Sequence, residues 1–264
     1  MKRWCFVKIM VCGKGGSGKS ALTVLTARVL SKNHGVYIVD SDESNTLLPR
    51  MLGAQSPKPL VEYLGGKGNI FKRGEIDLVN ALTVAGRGVR LADLPTEYLS
   101  SSSGGVRLVS IGKVREYGEG CACPFNFLAR ALLKRLILED DEVVLVDTDA
   151  GVEHLGRGVE EGCDAILTIA DPTAESLVLA GILNEEATRL GKKFWLVANK
   201  ITPSIADAVK MKAKDAGLET VGLVRFDEEV FKSGLEGVAL KAKEALADVE
   251  AVLKNTGLIV DSLS

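Results

Sequence analysis

The sequence has no surplus of positive charge: 33 lysines and arginines stand against 35 aspartates and glutamates, for a formal net charge of −2. That balance excludes nucleic-acid binding through bulk charge. Apolar runs long enough to span a bilayer are also missing. The N-terminal "MKRWCFVKIMVCGKGG" runs straight into a glycine loop without a small-residue cleavage site, so it reads as a first strand and not as a leader. The C-terminal "GLIVDSLS" carries no lysine or arginine and is not a membrane-targeting amphipathic helix. No fixed-period repeat appears. The expectation is a cytoplasmic protein with no membrane and no nucleic-acid partner.

There is no sign of a disulfide framework either: the five cysteines make an odd count, and in a reducing compartment they are expected to be mostly free thiols. Cys5, Cys12 and Cys163 lie in or beside apolar strand-like runs and read as small buried hydrophobes. Cys121 and Cys123, in "GEGCACP", do not fit that description. A bridge within C-x-C would close a small, strained ring, and two thiolates make only half of a tetrahedral sulfur site. Of the two histidines, His34 beside Gly35 reads as a neighbour of a helix C-cap and His154 as a packing or capping residue.

What the chain does have is alternation. Short apolar runs at 5–12, 35–40, 106–111, 143–148, 165–170, 194–199 and 219–225 read as strands, and amphipathic stretches at 18–33, 125–139, 173–190, 204–216 and 240–254 as helices. Interleaved in this way they predict an α/β fold, a three-layer α/β/α sandwich around a doubly wound, mostly parallel sheet. Residues 1–264 read as one domain. Between 42 and 105 glycine, proline and serine break the pattern, and the expectation there is loops and short helices on the surface.

Residues 13–20, "GKGGSGKS", satisfy the phosphate-loop pattern G-x-x-x-x-G-K-[ST] and lie between a predicted strand and a predicted helix. Gly13, Gly15, Gly16 and Gly18 leave the backbone free to turn its N–H groups, with those of Ser17 and Ala21, toward phosphate oxygens at a helix N-terminus. Lys19 supplies a point charge to the β- and γ-phosphates, and the Ser20 hydroxyl is a Mg²⁺ ligand. Further along, "VDSDESNT" places Asp40 and Asp42 at a strand's carboxyl end, and "VVLVDTDAG" ends a strand on Asp147, with Gly151 following.

The second lysine of the loop, Lys14, gives the form K-G-G-x-G-K-[ST]. It resembles the deviant phosphate loop of the P-loop family that includes MinD and ParA ATPases and the nitrogenase iron protein. Within that family, the C-x-C pair before a helix and the "AGVEHLGRG" run after Asp147 resemble the CooC-type ATPases, which assist nickel insertion into carbon monoxide dehydrogenase. The likeness covers most of the chain but is loose over 50–100, and "MKRWCF" extends the usual start.

The resemblance implies an ATPase that works as a homodimer. Lys14 would be a signature lysine reaching the partner's nucleotide, Asp42 would orient the attacking water, and Asp40 would stand near the Mg²⁺ shell. Asp147 would be the Walker B carboxylate, and Gly151 would offer its N–H at the second switch; Asp149 has no assigned role. Asn199 and Lys200 of "WLVANKI", with Phe226 and Asp227 of "LVRFDEEV", would surround the base. ATP is a family inference, and Thr202 stands where a guanine-specific N-K-x-D motif would have aspartate. Two copies of Cys121 and Cys123 would make a four-sulfur site at the dimer interface, for which Zn²⁺ and Ni²⁺ both remain open. The client would be a metalloenzyme, carbon monoxide dehydrogenase by the resemblance. Two alternatives are an ATP-dependent electron carrier with an intersubunit iron–sulfur cluster and a positioning ATPase like MinD or ParA.

Overall fold

The computed structural model describes residues 7–82, 88–114, 123–150 and 158–259. Val7–Gly13 (β1), Gly35–Asp40 (β2), Ser100–Ser101 (β3), Arg107–Ser110 (β4), Glu142–Asp147 (β5), Ala165–Ala170 (β6), Lys193–Ile201 (β7) and Thr220–Arg225 (β8) make one sheet, ordered β3-β4-β2-β5-β1-β6-β7-β8. Every pairing is parallel except β3 with β4. Helices are α1 (Lys19–Leu30), α2 (Leu48–Leu52), α3 (Leu60–Tyr63), α4 (Lys67–Leu82), α5 (Cys123–Arg135), α6 (Ala174–Arg189), α7 (Ala206–Asp215), α8 (Glu228–Glu236) and α9 (Ala245–Thr256).

Successive strand residues point to opposite faces. Val7, Ile9, Val11, Val36, Ile38 and Leu145 pack with side chains of α1 and α9 on one face. Met10, Cys12, Tyr37, Val39, Val144 and Val146 pack with those of α5 on the other. Because both faces are covered, the central strands read in sequence as continuous apolar runs and not as alternation. Cys12 and Cys163 are buried and free, and burial pushes both thiols up to about 12, so they are inert core residues as expected. Cys5 lies outside the described residues.

The stretch from 42 to 105 is not the surface feature expected of it. Leu60, Val61, Leu64, Ile70, Leu82, Val89 and Leu91 all enter the α5-side core, and α4 runs for 16 residues packed against α5. Gly68 and Gly74 and the charges between them disguise α4 in sequence, because intrinsic propensity there is poor and tertiary packing decides. Helix α5 starts at Cys123, with Pro124 in its first turn, and ends at Arg135, short of the expected 139. Helix α8 was not expected at all. No described helix is long and apolar enough to cross a membrane.

Strand β1 is flanked by β5 and β6, so the chain's direction of winding reverses at its carboxyl end. In such sheets the crevice beyond the strand ends at this switch point is where ligands bind. The loop 13–18 opens there.

Candidate active site

Three glycines of the loop hold positive φ: Gly13 at 147°, Gly16 at 79° and Gly18 at 96°. A Cβ at Gly13 would stand 2.2 Å from the Ile169 carbonyl oxygen, and one at Gly18 would stand 2.4 Å from Asn199 Nδ2. The cradle therefore exists only because these positions lack side chains. Gly18 is the N-cap of α1 and has no side-chain cap, and the helix's first turn contains no acidic residue. Its leading N–H groups and dipole are thus left for an anion. Lys19 Nζ donates to the Lys14 carbonyl at 3.3 Å, bending back over the loop.

Ser20 and Thr23, one helical turn apart on α1, both donate to Asp147. Ser20 Oγ reaches Oδ2 at 2.7 Å and Thr23 Oγ1 reaches Oδ1 at 3.0 Å. Asn45 Nδ2 donates to Ser20 Oγ at 2.9 Å, which ties the loop after β2 to the phosphate loop. Asp42 Oδ1 accepts from Ser44 N (2.9 Å), Ser44 Oγ (2.6 Å) and Asn45 N (3.1 Å), so its carboxylate is fixed by a local turn.

Asp40 and Asp147 are fully buried. Burial raises Asp147 to about 6, with the Asp42 charge adding to the rise and the Ser20 and Thr23 hydroxyls opposing it. Burial likewise raises Asp40 to about 7; Lys113, 2.7 Å away, opposes the rise, and Asp147 and Asp42 add to it. Asp40 Oδ1 and the buried Ser17 Oγ have no hydrogen-bond partner among the described residues. This is an all-oxygen set carrying crowded negative charge, and it suits a hard divalent cation. No three His, Cys, Asp or Glu among the described residues converge as a protein-only cage, as Mg²⁺ sites completed by phosphate oxygens do not need one. The residues present fit Mg²⁺, with Ser20 and Asp147 nearest the loop.

Lys14 turns to its own chain: Nζ lies 2.5 Å from Glu175 Oε2 at the start of α6, and that contact, followed by the nearby charge of Asp171, raises its pKa. Gly151 and His154 lie outside the described residues. Asp149 accepts from the Ala150 N–H at 2.6 Å.

At the other end, a bulge between Ala198 and Ile201 breaks the β7–β8 register and directs Asn199 and Lys200 at the phosphate loop. Asn199 Nδ2 donates to the Ser17 carbonyl at 2.8 Å, and Lys200 Nζ to the Gly16 carbonyl at 2.6 Å. Asp227 caps α8: Oδ1 accepts from Glu229 N at 2.9 Å, while Oδ2 takes the N–H groups of Lys243, Glu244 and Ala245 at 2.8 to 3.0 Å. Burial acts to raise this carboxyl, but the backbone donors outweigh it and hold the group at about 2. The three polar residues among the four expected base contacts, Asn199, Lys200 and Asp227, are thus bound to backbone. What faces the pocket here is largely apolar, with Ala21, Leu25, Phe226, Val230 and Phe231 in its lining. Phe226 and Phe231 stand 6.0 Å apart between ring centroids.

Cys121 lies outside the described residues. Cys123 is exposed at the first position of α5, and its sulfur is disulfide-bonded. A thiolate ligand there requires the reduced form, so Cys123 departs from the expectation that the cysteines are mostly free thiols, while Cys12 and Cys163 meet it. Sequence reasoning missed Thr23, Asn45 and Lys113. Only Thr23 carried a signal, since it falls three positions after Ser20 on the same helix face.

The chain matches the model of the CobQ/CobB/MinD/ParA nucleotide binding domain over residues 8–240. An uncharacterized ATP-binding protein of Methanocaldococcus jannaschii is 41% identical over 252 residues, covering 94% of this chain and 98% of that protein. The carbon monoxide dehydrogenase accessory protein CooC of Rhodospirillum rubrum is 29% identical over 237 residues, covering 88% and 89%. Among solved structures, the septum site-determining protein MinD of Pyrococcus horikoshii, complexed with Mg-ADP, superposes with a TM-score of 0.66 at 15% identity, covering 94% of this chain and 95% of that one. That last likeness concerns the fold. With a phosphate loop, two buried carboxylates and an apolar pocket gathered at the sheet's switch point, the chain belongs to the CobQ/CobB/MinD/ParA nucleotide-binding domain family.

Proposed function

We propose that the protein is an ATP-hydrolysing homodimer, that its 264 residues form one folding unit, and that it is a cytoplasmic accessory factor that handles a metal ion for a client metalloenzyme, carbon monoxide dehydrogenase being the favoured class. The observation that carries the hydrolytic part is the junction at Ser20, whose hydroxyl is held at once by Asp147 and Asn45, with Asp42 fixed three residues before Asn45. ATP enters as substrate. The loop N–H groups and Lys19 bind its phosphates, Ser20 and Asp147 hold Mg²⁺, and Asp42 orients the attacking water, since its Oδ1 is already held by the turn. Mg²⁺, when bound, neutralises developing charge on the phosphate oxygens. Lys14 exchanges Glu175 for the partner's nucleotide on dimerisation, a change between two ion pairs of one half-buried side chain.

The metal part rests on the C-x-C pair and on the likeness to the CooC accessory protein. Two reduced copies of Cys121 and Cys123 give the four thiolates that Zn²⁺ or Ni²⁺ accepts. Phosphate release from Mg·ATP, together with zinc and nickel content of the reduced protein against Cys121→Ala/Cys123→Ala, tests both parts. About one ion per dimer in the wild type and none in the double variant is expected. Equal metal in both proteins removes the metal part, iron and sulfide in anaerobic preparations would favour an electron carrier, and absence of phosphate release removes the hydrolytic part.

A further inference from the structure

Lys113, three residues past β4, has a side chain only 11% exposed. Its ammonium lies 2.7 Å from Asp40 Oδ2 and 2.5 Å from each of the Asp42 and Asn45 carbonyl oxygens. An ammonium has three N–H donors, and three acceptors surround this one. The backbone beside it repeats the connection: Ile111 N donates to the Asp40 carbonyl at 3.0 Å and Val114 N to the Glu43 carbonyl at 3.1 Å. Each of these acceptors belongs to residues 40–45, the segment that supplies Asp42 and Asn45 to the phosphate end.

A lysine this deep is costly unless its charge is paired and its donors are used. If volume were the only need, leucine or methionine would serve without that cost. The geometry therefore asks what the charge does, and the answer is set by what it touches. We propose that Lys113 is a positioning residue for hydrolysis. It pins the 40–45 segment so that Asp42 and Asn45 stand in register with Ser20 before the nucleotide is cleaved. The inference rests on the hydrolytic reading above. Remove the ammonium, and the buried Asp40 carboxylate and the half-buried Asp42 and Asn45 carbonyls lose their donor, a state that favours movement of the segment toward water. None of the three bonds goes to the loop 13–18 or to Lys19, so turnover falls by more than nucleotide affinity does.

The test uses the full chain with Mg·ATP and the variants Lys113→Met and Lys113→Arg. It reads kcat, ATP affinity by equilibrium binding, and hydrogen exchange of amides 40–46. Lys113→Met is expected to lower kcat on the order of 10- to 100-fold, as displacement of a water-orienting carboxylate does, with ATP affinity within about threefold of wild type and faster exchange confined to 40–46. Lys113→Arg keeps the buried charge, but a planar guanidinium cannot place three donors around one nitrogen; kcat falls by roughly three- to tenfold. Wild-type kcat in a folded variant overturns the proposal, and so does a loss of affinity equal to the loss of turnover, which is what a merely structural residue gives. Should Lys113→Met fail to fold, Lys113→Arg decides by the same criteria. Should the wild type hydrolyse no ATP, the hydrolytic reading falls by itself, and unchanged 40–46 exchange in Lys113→Arg would still overturn the clamp.

Discussion

At the phosphate end of the crevice the expected side chains find one another: Ser20 meets Asp147, and Asp40 and Asp42 lie on the segment whose unforeseen Asn45 also reaches Ser20. At the base end Asn199, Lys200, Phe226 and Asp227 also converge, but the first two donate to carbonyls of the phosphate loop and Asp227 caps α8. The phosphate end holds its polar groups free for a ligand, or bound to each other in ways a cation can replace. The base end uses its polar groups as framework and leaves apolar surface for recognition. Chemistry and selectivity should therefore respond to mutation in different currencies, turnover at one end and affinity or stability at the other.

The largest effect should come from Asp42→Asn. Asparagine keeps the Oδ1 acceptor that Ser44 and Asn45 use, so the turn survives while the charge that orients water goes. Turnover is expected to fall about a hundredfold, ~2.7 kcal/mol of barrier, with ATP affinity and melting temperature little changed. Steady-state phosphate release beside equilibrium binding checks this. A matching fall in affinity would erase the division between the two ends. Gly18→Ala probes their seam, because the added methyl meets Asn199 Nδ2 at a backbone φ of 96°. Overpacking and left-handed strain together should cost about 2 kcal/mol, read by urea denaturation, along with weakened nucleotide binding.

The sequence makes the two ends unequally legible, for a physical reason. The phosphate loop is one covalent strand–turn–helix whose spacing dictates where Lys19 and Ser20 go, and Asp147 follows because a strand buried on both faces must end where the loop begins. The sheet was readable from its apolar runs in all but β3, two residues long and antiparallel. Helix α4 was hidden by its glycines, and α8 by a capping aspartate that was instead taken for a ligand contact, although D-E-E before Val230 and Phe231 is the pattern of a helix start. Lys113 had no local signature, since its three acceptors sit some seventy residues away. The base end depends on a bulge that no spacing announces.

Asp227→Asn measures how far the base end is framework. One amide oxygen retains an acceptor for Glu229, but the Oδ2 that gathers Lys243, Glu244 and Ala245 is replaced by a donor. A loss of about 1–2 kcal/mol is expected at neutral pH. Because the folded carboxyl is held at about 2, below its ordinary 3.8, its contribution is full above the ordinary value and fades as pH falls through the folded one. Stability curves of wild type and Asp227→Asn should thus converge toward pH 2. Curves that stay parallel would mean that the carboxylate's charge is not what joins α8 to α9.

The smallest effect belongs to Phe226→Ala. The ring is 43% exposed and leans on Phe231 beside the apolar pocket, so removing it deprives the fold of little. If base recognition at this end is by contact area, then a stacked nucleobase would lose part of one face, worth under about 1 kcal/mol, or a three- to fivefold rise in KM for ATP with kcat unchanged. A change in kcat instead would carry the base end into the chemistry and break the separation drawn between the two regions. An unchanged KM would push recognition onto Phe231, Val230 and Leu25, which line the same pocket from α8 and α1.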